Sequence, residues 1–214
     1  SNSYTGGTTV SAGTLVLGNS NALSSGGVTV NGGTLDLNGL SVTANQLRGS
    51  GGTIALGGGA LRVNNASTTT NASVISGTGS FTKAGSGNLL LAGNSTYTGD
   101  TFLESANIQL GVANALSTGS VLRFSANAND RRLQMQGFNQ TLGGVDSTAA
   151  TGGTLIIEAA SDNVSDAPAT LTLNVAAGQS HNFSGIVRNA SGTATNSALT
   201  LIKDGAGTQV LSGA

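Results

Sequence analysis

The chain has 214 residues, enough to bury a core, and combines 34 glycines with only 8% charged and 3% aromatic residues. Its formal net charge of −1 gives no reason to expect nucleic acid or an anionic membrane surface as a partner. The absence of cysteine excludes disulfides and thiolate metal sites, and no apolar run approaches the ~20 residues that span a bilayer.

Short alternating apolar runs recur through the first half of the chain. GTLVL at 13–17, GTLDL at 33–37 and GTIAL at 52–56 follow one another at intervals of 20 and 19 residues. This alternation predicts strands with one buried face, and the leucines and the isoleucine of the three runs point inward. No segment has the periodicity of an amphipathic helix, and glycine, at about 1 kcal/mol each, interrupts nearly every window.

A repeat of ~20 residues made of short strands and glycine turns is typical of a solenoid and not of a β-sandwich. We therefore predict an all-β fold, a parallel β-helix whose strands stack ~4.8 Å apart, with Gly and Asn at the corners. Residues 1–214 would form a single continuous solenoid of about ten coils, ~50 Å long.

A longer repeat contains the shorter one. Residues 97–119 align without a gap with residues 4–26, which defines unit one at about 4–96 and unit two at about 97–214. The stretch 81–101 holds the joint between the units. Residues 1–9 repeat its second half and residues 201–214 its first half, so we expect the sequence to be a piece of a longer array.

Unit two is longer than unit one because of two insertions, a short one at 126–130 and a longer one within 161–197 that carries its own strand, ATLTLNV. Insertions in a stacked solenoid extend outward as loops, commonly on one face. We expect any binding specificity to lie in these loops.

Charged residues concentrate in the second unit, where residues one coil apart are stacked neighbours. Such a cluster is compatible with a catalytic cleft, with a binding surface, or with a self-neutralising loop. We identify no catalytic residue, and five residues are candidates for binding through the loops: Asp130, Arg131, Arg132, Asp162 and Asp166.

His181 is the single histidine, and a catalytic role would require an acid and a nucleophile close to it. Ser180 and Ser184 are nearby in sequence, and only Asp162 or Asp166 offers an acid, so we expect an ordinary surface or loop histidine. The glycine pairs lack the aspartates of calcium-binding repeats, and the glycine clusters lack the lysine of phosphate loops. We predict no metal site and no cofactor.

Three stretches, GSGNLLLAGNSTYTGDT, SYTGGTTVSAGTLVLGNSNALSSG and KDGAGTQVLSGA, resemble the passenger-associated transport repeats of bacterial autotransporters, the type V secreted proteins. The resemblance implies a right-handed parallel β-helix, exposed on the bacterial cell surface or secreted. A C-terminal outer-membrane β-barrel of the parent chain would carry it across the outer membrane. The two insertions and SANIQL at 105–110, in place of AGTLVL, depart from the repeat.

The predicted function is non-enzymatic: a β-helical stalk and a surface for adhesion or host recognition. Such a function would contribute to virulence. Its partners would be a host-cell or surface protein or glycan, or another passenger copy. Two alternatives stay open. One is a released ligand that engages a host-cell receptor through loops of unit two, and the other is a polysaccharide-acting enzyme with a cleft in that unit.

Overall fold

The computed structural model describes residues 2–125, 129–160, 167–190 and 196–213. Within these ranges the regular structure consists of short strands, and no helix occurs. The strands are β1 (Thr8–Val10), β2 (Thr14–Val16), β3 (Val28–Val30), β4 (Thr34–Asp36), β5 (Val42–Ala44), β6 (Leu47–Arg48), β7 (Thr53–Ala55), β8 (Ala60–Asn64), β9 (Thr69–Asn71), β10 (Val74–Ser76), β11 (Ser80–Ala84), β12 (Leu89–Leu91), β13 (Thr101–Leu103), β14 (Ala106–Leu110), β15 (Val121–Phe124), β16 (Arg131–Gln134), β17 (Gln140–Leu142), β18 (Gly144–Asp146), β19 (Leu155–Glu158), β20 (Ala169–Asn174), β21 (Ser180–Phe183), β22 (Ile186–Arg188), β23 (Leu199–Asp204) and β24 (Thr208–Leu211).

The strands stack in parallel into three faces, and the chain visits the faces in a fixed order. Face 1 contains β1, β3, β6, β9, β12, β14, β16, β19 and β22. Face 2 contains β2, β4, β7 and β10, and then β17, β20 and β23. Face 3 contains β5, β8, β11, β13, β15 and β18, and then β21 and β24. The fold is a parallel β-solenoid, which confirms the predicted fold class.

Alternating side chains build the core. Leu35 pairs with Ile54, which pairs with Ile75, and all three are almost completely buried in one inward column. The inward leucines predicted from the alternation are buried as expected, except Leu15, which is 39% exposed because it lies in the first coil. The buried hydrophobic residues form one cluster that extends from Val10 to Phe183.

The solenoid has fewer turns than the ten that a uniform coil of ~20 residues predicts. Thr8 pairs with Val28, 20 residues later, whereas Ile156 pairs with Ile186, 30 residues later. The insertions therefore lengthen individual coils without adding new ones.

Corresponding segments of the two units lie on different faces. Thr8 in β1 corresponds in sequence to Thr101 in β13, yet β1 belongs to face 1 and β13 to face 3. Thr101 pairs with Phe81, so the second unit begins one face short of a whole number of turns. The same motif is thus presented in a different direction in each unit.

The corners are tight where coils stack, and there glycine is required. A Cβ atom on Gly79 would lie 1.6 Å from the carbonyl oxygen of Gly59 in the coil before it.

None of the described segments is a helix long and apolar enough to cross a membrane.

Candidate functional site

Asp130 precedes β16 and joins two coils. Its Oδ1 accepts a hydrogen bond from the backbone N–H of Thr154 at 2.7 Å. The backbone and side-chain hydrogen bonds of Thr154, with weaker contributions from Arg132 and Arg131, lower the pKa of Asp130. The carboxylate is exposed, so it combines a contact between coils with a solvent-facing oxygen.

Arg131 begins β16 and points into the solenoid, where it is fully buried. Its two terminal nitrogens donate hydrogen bonds to the carbonyl oxygens of Ser125 and Gly152, while its Nε has no hydrogen-bond partner among the described residues. Burial lowers the pKa of Arg131. The guanidinium therefore satisfies main-chain carbonyls at a corner and does not face solvent.

Arg132 belongs to a ladder on the outer side of face 1. Its Nη1 lies 3.6 Å from Oε1 of Glu158, a side chain with no solvent exposure. Arg188 donates to Oε2 of the same carboxylate from Nε at 2.9 Å and from Nη2 at 2.7 Å. Gln134 donates to Oε1 at 2.8 Å and accepts from Gln109 at 3.0 Å. These residues occupy adjacent coils, so the ladder links four coils side by side.

A second ladder runs along the outer side of face 3. Arg123 donates from Nε to Oδ2 of Asp100 at 2.5 Å and from Nη1 to Oδ2 of Asp146 at 3.3 Å. The other oxygen of Asp146 accepts from the N–H and hydroxyl of Thr148. Burial acts to raise the pKa of Asp146, but Thr148, His181 and Arg123 outweigh it and lower this pKa.

His181 lies on β21 at the end of this ladder and is only 4% exposed. Its Nδ1 is 3.5 Å from Oδ2 of Asp146, too far for a good hydrogen bond but within the range of an ion pair. Neither ring nitrogen has a hydrogen-bond partner among the described residues.

The expectation of a surface or loop histidine was therefore wrong. His181 and Phe183 alternate with Ser180 and Asn182, and both are buried, so the period-2 pattern of SHNF was the available signal. From the sequence, Asp162 and Asp166 were the candidate acidic partners of His181. In the structure the acidic side chain next to His181 is Asp146.

Two of the five binding candidates, Asp162 and Asp166, lie outside the described residues. Of the other three, Asp130 is exposed, Arg132 is partly exposed and Arg131 is buried. Within the described ranges, no group of three or more His, Asp or Glu side chains is arranged to hold a metal ion.

The motif-bearing segments match a known family. The passenger-associated-transport-repeat model matches residues 1–17, 12–37, 81–110 and 201–214, which include the joint between the units. Comparison with curated proteins and with solved structures found no match. These four segments are therefore repeats of the passenger-associated-transport-repeat family, a family of autotransporter passenger repeats.

Proposed function

We propose that this chain is a surface-exposed or secreted stretch of an autotransporter passenger, a β-helical stalk with a surface for adhesion or recognition and no enzymatic activity. The proposal rests on the observation that charged side chains of this chain bind one another between neighbouring coils. Glu158 receives hydrogen bonds from Arg188 and Gln134 in neighbouring coils, and Arg123 bridges Asp100 and Asp146.

These contacts favour a structural role over a catalytic one. A glycosidase needs two carboxylates that converge on a groove and stay free to exchange protons with the substrate. Glu158 is fully buried and saturated by neighbouring coils, and removal of one partner from such a buried charge is strongly destabilising, by about 3–5 kcal/mol. We interpret the ladders as devices that fix the register of non-identical coils.

A stalk held in this way presents a long, weakly charged flank rich in Asn, Ser and Thr. Such groups donate and accept hydrogen bonds with glycans, with proteins, or with another passenger copy. The parent chain's outer-membrane β-barrel is the partner proposed for export, and the producing bacterium's surface or medium is the proposed location.

The recognition role is tested with fluorescent beads that carry the purified protein. We expect the beads to adhere to cultured epithelial cells or to bacteria, and the double variant Asp162→Asn/Asp166→Asn to bind less. Asp36→Asn in unit one serves as the matched charge control. Beads that bind no better than albumin-coated beads would overturn the recognition role.

The non-enzymatic part is tested by screening for product release from plant and bacterial polysaccharides and from ester substrates. We expect no turnover. Hydrolysis that disappears in Glu158→Gln or His181→Ala, with the far-UV circular dichroism unchanged, would establish the enzyme alternative instead.

A further inference from the structure

A notch opens at the corner between faces 2 and 3, across three successive coils. The middle coil passes from β17 to β18 through Gly143, which adds no side chain to the corner. The coils on either side have longer corner segments. These contribute Thr118 to one wall of the notch and Asn174 and Gln179 to the other. The space between them measures about 320 Å³, at the lower end of the ~300–1,000 Å³ range of ligand pockets.

Glycine is required at the base of the notch. A Cβ atom on Gly143 would lie 2.5 Å from the carbonyl oxygen of Gly119. A Cβ atom on Gly144 would lie 2.3 Å from Cδ2 of His181, so the imidazole ring packs directly on the Gly144 backbone. Gly144 also has a φ of 151°, which L side chains rarely adopt.

His181 lines this notch and is the feature that the fold does not account for. Its two ring nitrogens are buried and without hydrogen-bond partners among the described residues. An unpaired buried polar group is costly, and a native structure that keeps one calls for an explanation such as a bound molecule. The ladder of face 3 approaches it on the Nδ1 side only, through Asp146.

We propose that the notch binds one neutral pyranose unit of a glycan. The walls offer one hydroxyl and two amide side chains, which can donate to and accept from sugar hydroxyls. Val121 and Ala176 add apolar contact for the ring C–H groups. The described residues that line the notch include no Asp, Glu, Lys or Arg, which favours a neutral ligand.

This site rests on the proposed recognition function and narrows its partner to a carbohydrate. Asn174 and Gln179 are exposed, so their side chains can be removed without opening the core. Because the sequence contains a single histidine, the imidazole resonances in a long-range 1H–15N NMR spectrum belong to His181 without further assignment.

The test titrates the purified protein with methyl glycosides of glucose, galactose, mannose, fucose and N-acetylglucosamine. We expect at least one of them to shift the His181 ring signals saturably, with a Kd on the order of 1–10 mM. Asn174→Ala and Gln179→Ala should each raise this Kd about tenfold, the effect of one lost hydrogen bond. Gln46→Ala, in a polar cleft of unit one, is the control and should leave it unchanged.

Three outcomes would overturn the sugar site. They are the absence of a saturable shift with any glycoside, a shift that neither wall variant weakens, and a shift caused by Zn²⁺ but by no sugar. Bead adhesion that persists without sugar binding would overturn this site alone. Sugar binding without bead adhesion would overturn the adhesive role and leave the site intact.

Discussion

Tyr4 and Tyr97 occupy the same position in the two units but differ in burial. The Tyr4 hydroxyl lies 2.5 Å from Oγ1 of Thr8, and the Tyr97 hydroxyl lies 2.5 Å from Oγ1 of Thr101. Tyr97 is nevertheless fully buried and packs on Phe81 with a ring-centroid distance of 6.1 Å, while Tyr4 in the first coil is 41% exposed. The hydrogen bond between the tyrosine and the threonine therefore forms within the repeat motif itself. Burial of the tyrosine ring requires a neighbouring coil.

Lys83 and Lys203 repeat the comparison at the other half of the joint. The Lys83 ammonium donates to the carbonyl oxygens of Ala84, Gly85 and Ser105, the last of which belongs to the next coil. Lys203 makes the two local bonds and remains exposed. Burial lowers the pKa of Lys83 to about 8. Stacking therefore changes the chemistry of a residue whose local contacts stay the same.

The largest effect should come from truncating the buried tyrosine. Tyr97→Ala removes a fully buried ring and is expected to lower the free energy of unfolding by about 3–5 kcal/mol. Tyr4→Ala should lower it by less than about 1 kcal/mol because the ring already contacts water. Urea denaturation followed by circular dichroism measures both. Equal losses would show that the coil beneath Tyr97 contributes little.

The next prediction concerns pH. Lys83 keeps its proton up to about pH 8 in the folded protein, whereas an unfolded lysine keeps it to about 10.5. The unfolded state thus binds more protons between these values, so the contribution of Lys83 to stability rises with pH there, by at most about 3 kcal/mol.

Urea denaturation at pH 7.5, 9 and 10.5 tests this in wild type, Lys83→Met and Lys203→Met. The measured quantity is the increase in unfolding free energy with pH that is present in wild type and lost in Lys83→Met. The tyrosines titrate alike in all three proteins and cancel from this difference. Lys203→Met should keep the wild-type slope. A slope unchanged in Lys83→Met would contradict the burial effect.

Much of the fold was predictable because stacking needs only a repeated local pattern. GTLDL and GTIAL lie one coil apart, and their inward residues pair in register as the spacing indicated. The number of coils was not predictable from the same spacing, since insertions change coil length without a change in strand pattern.

The candidate site was harder to predict because it depends on contacts between coils of unequal length. Arg131 is buried at a corner whose accepting carbonyls come from elsewhere in the chain, at Ser125 and Gly152. His181 meets Asp146, 35 residues earlier, because the intervening coil contains the long insertion. No local pattern encodes either contact, whereas the inward position of His181 was readable from its alternation with Phe183.

A smaller effect should separate two glycines of the Tyr-Thr-Gly motif. A Cβ atom on Gly99 would lie 2.4 Å from the carbonyl oxygen of Gly79, while one on Gly6 would meet no atom within 4 Å. Gly99→Ala is expected to cost about 1–3 kcal/mol through displacement of a stacked backbone. Gly6→Ala should stay within about 0.5 kcal/mol of wild type. A Gly99→Ala protein as stable as wild type would mean that adjacent coils move apart readily.

The smallest effect should come from deleting only the tyrosine hydroxyls. The Tyr97 hydroxyl meets Thr101, whose Oγ1 in turn lies 2.8 Å from Oγ of Ser120, all in a buried setting. Tyr97→Phe is expected to cost about 1–2 kcal/mol, because Thr101 keeps Ser120 as a partner but the buried backbone N–H of Ser117 loses the hydroxyl as its acceptor. Tyr4→Phe should cost only a few tenths of a kcal/mol, since water replaces the lost partner at an exposed site. Equal costs in the two denaturation curves would show that the hydroxyl acts locally, and that burial by the neighbouring coil matters only for the ring.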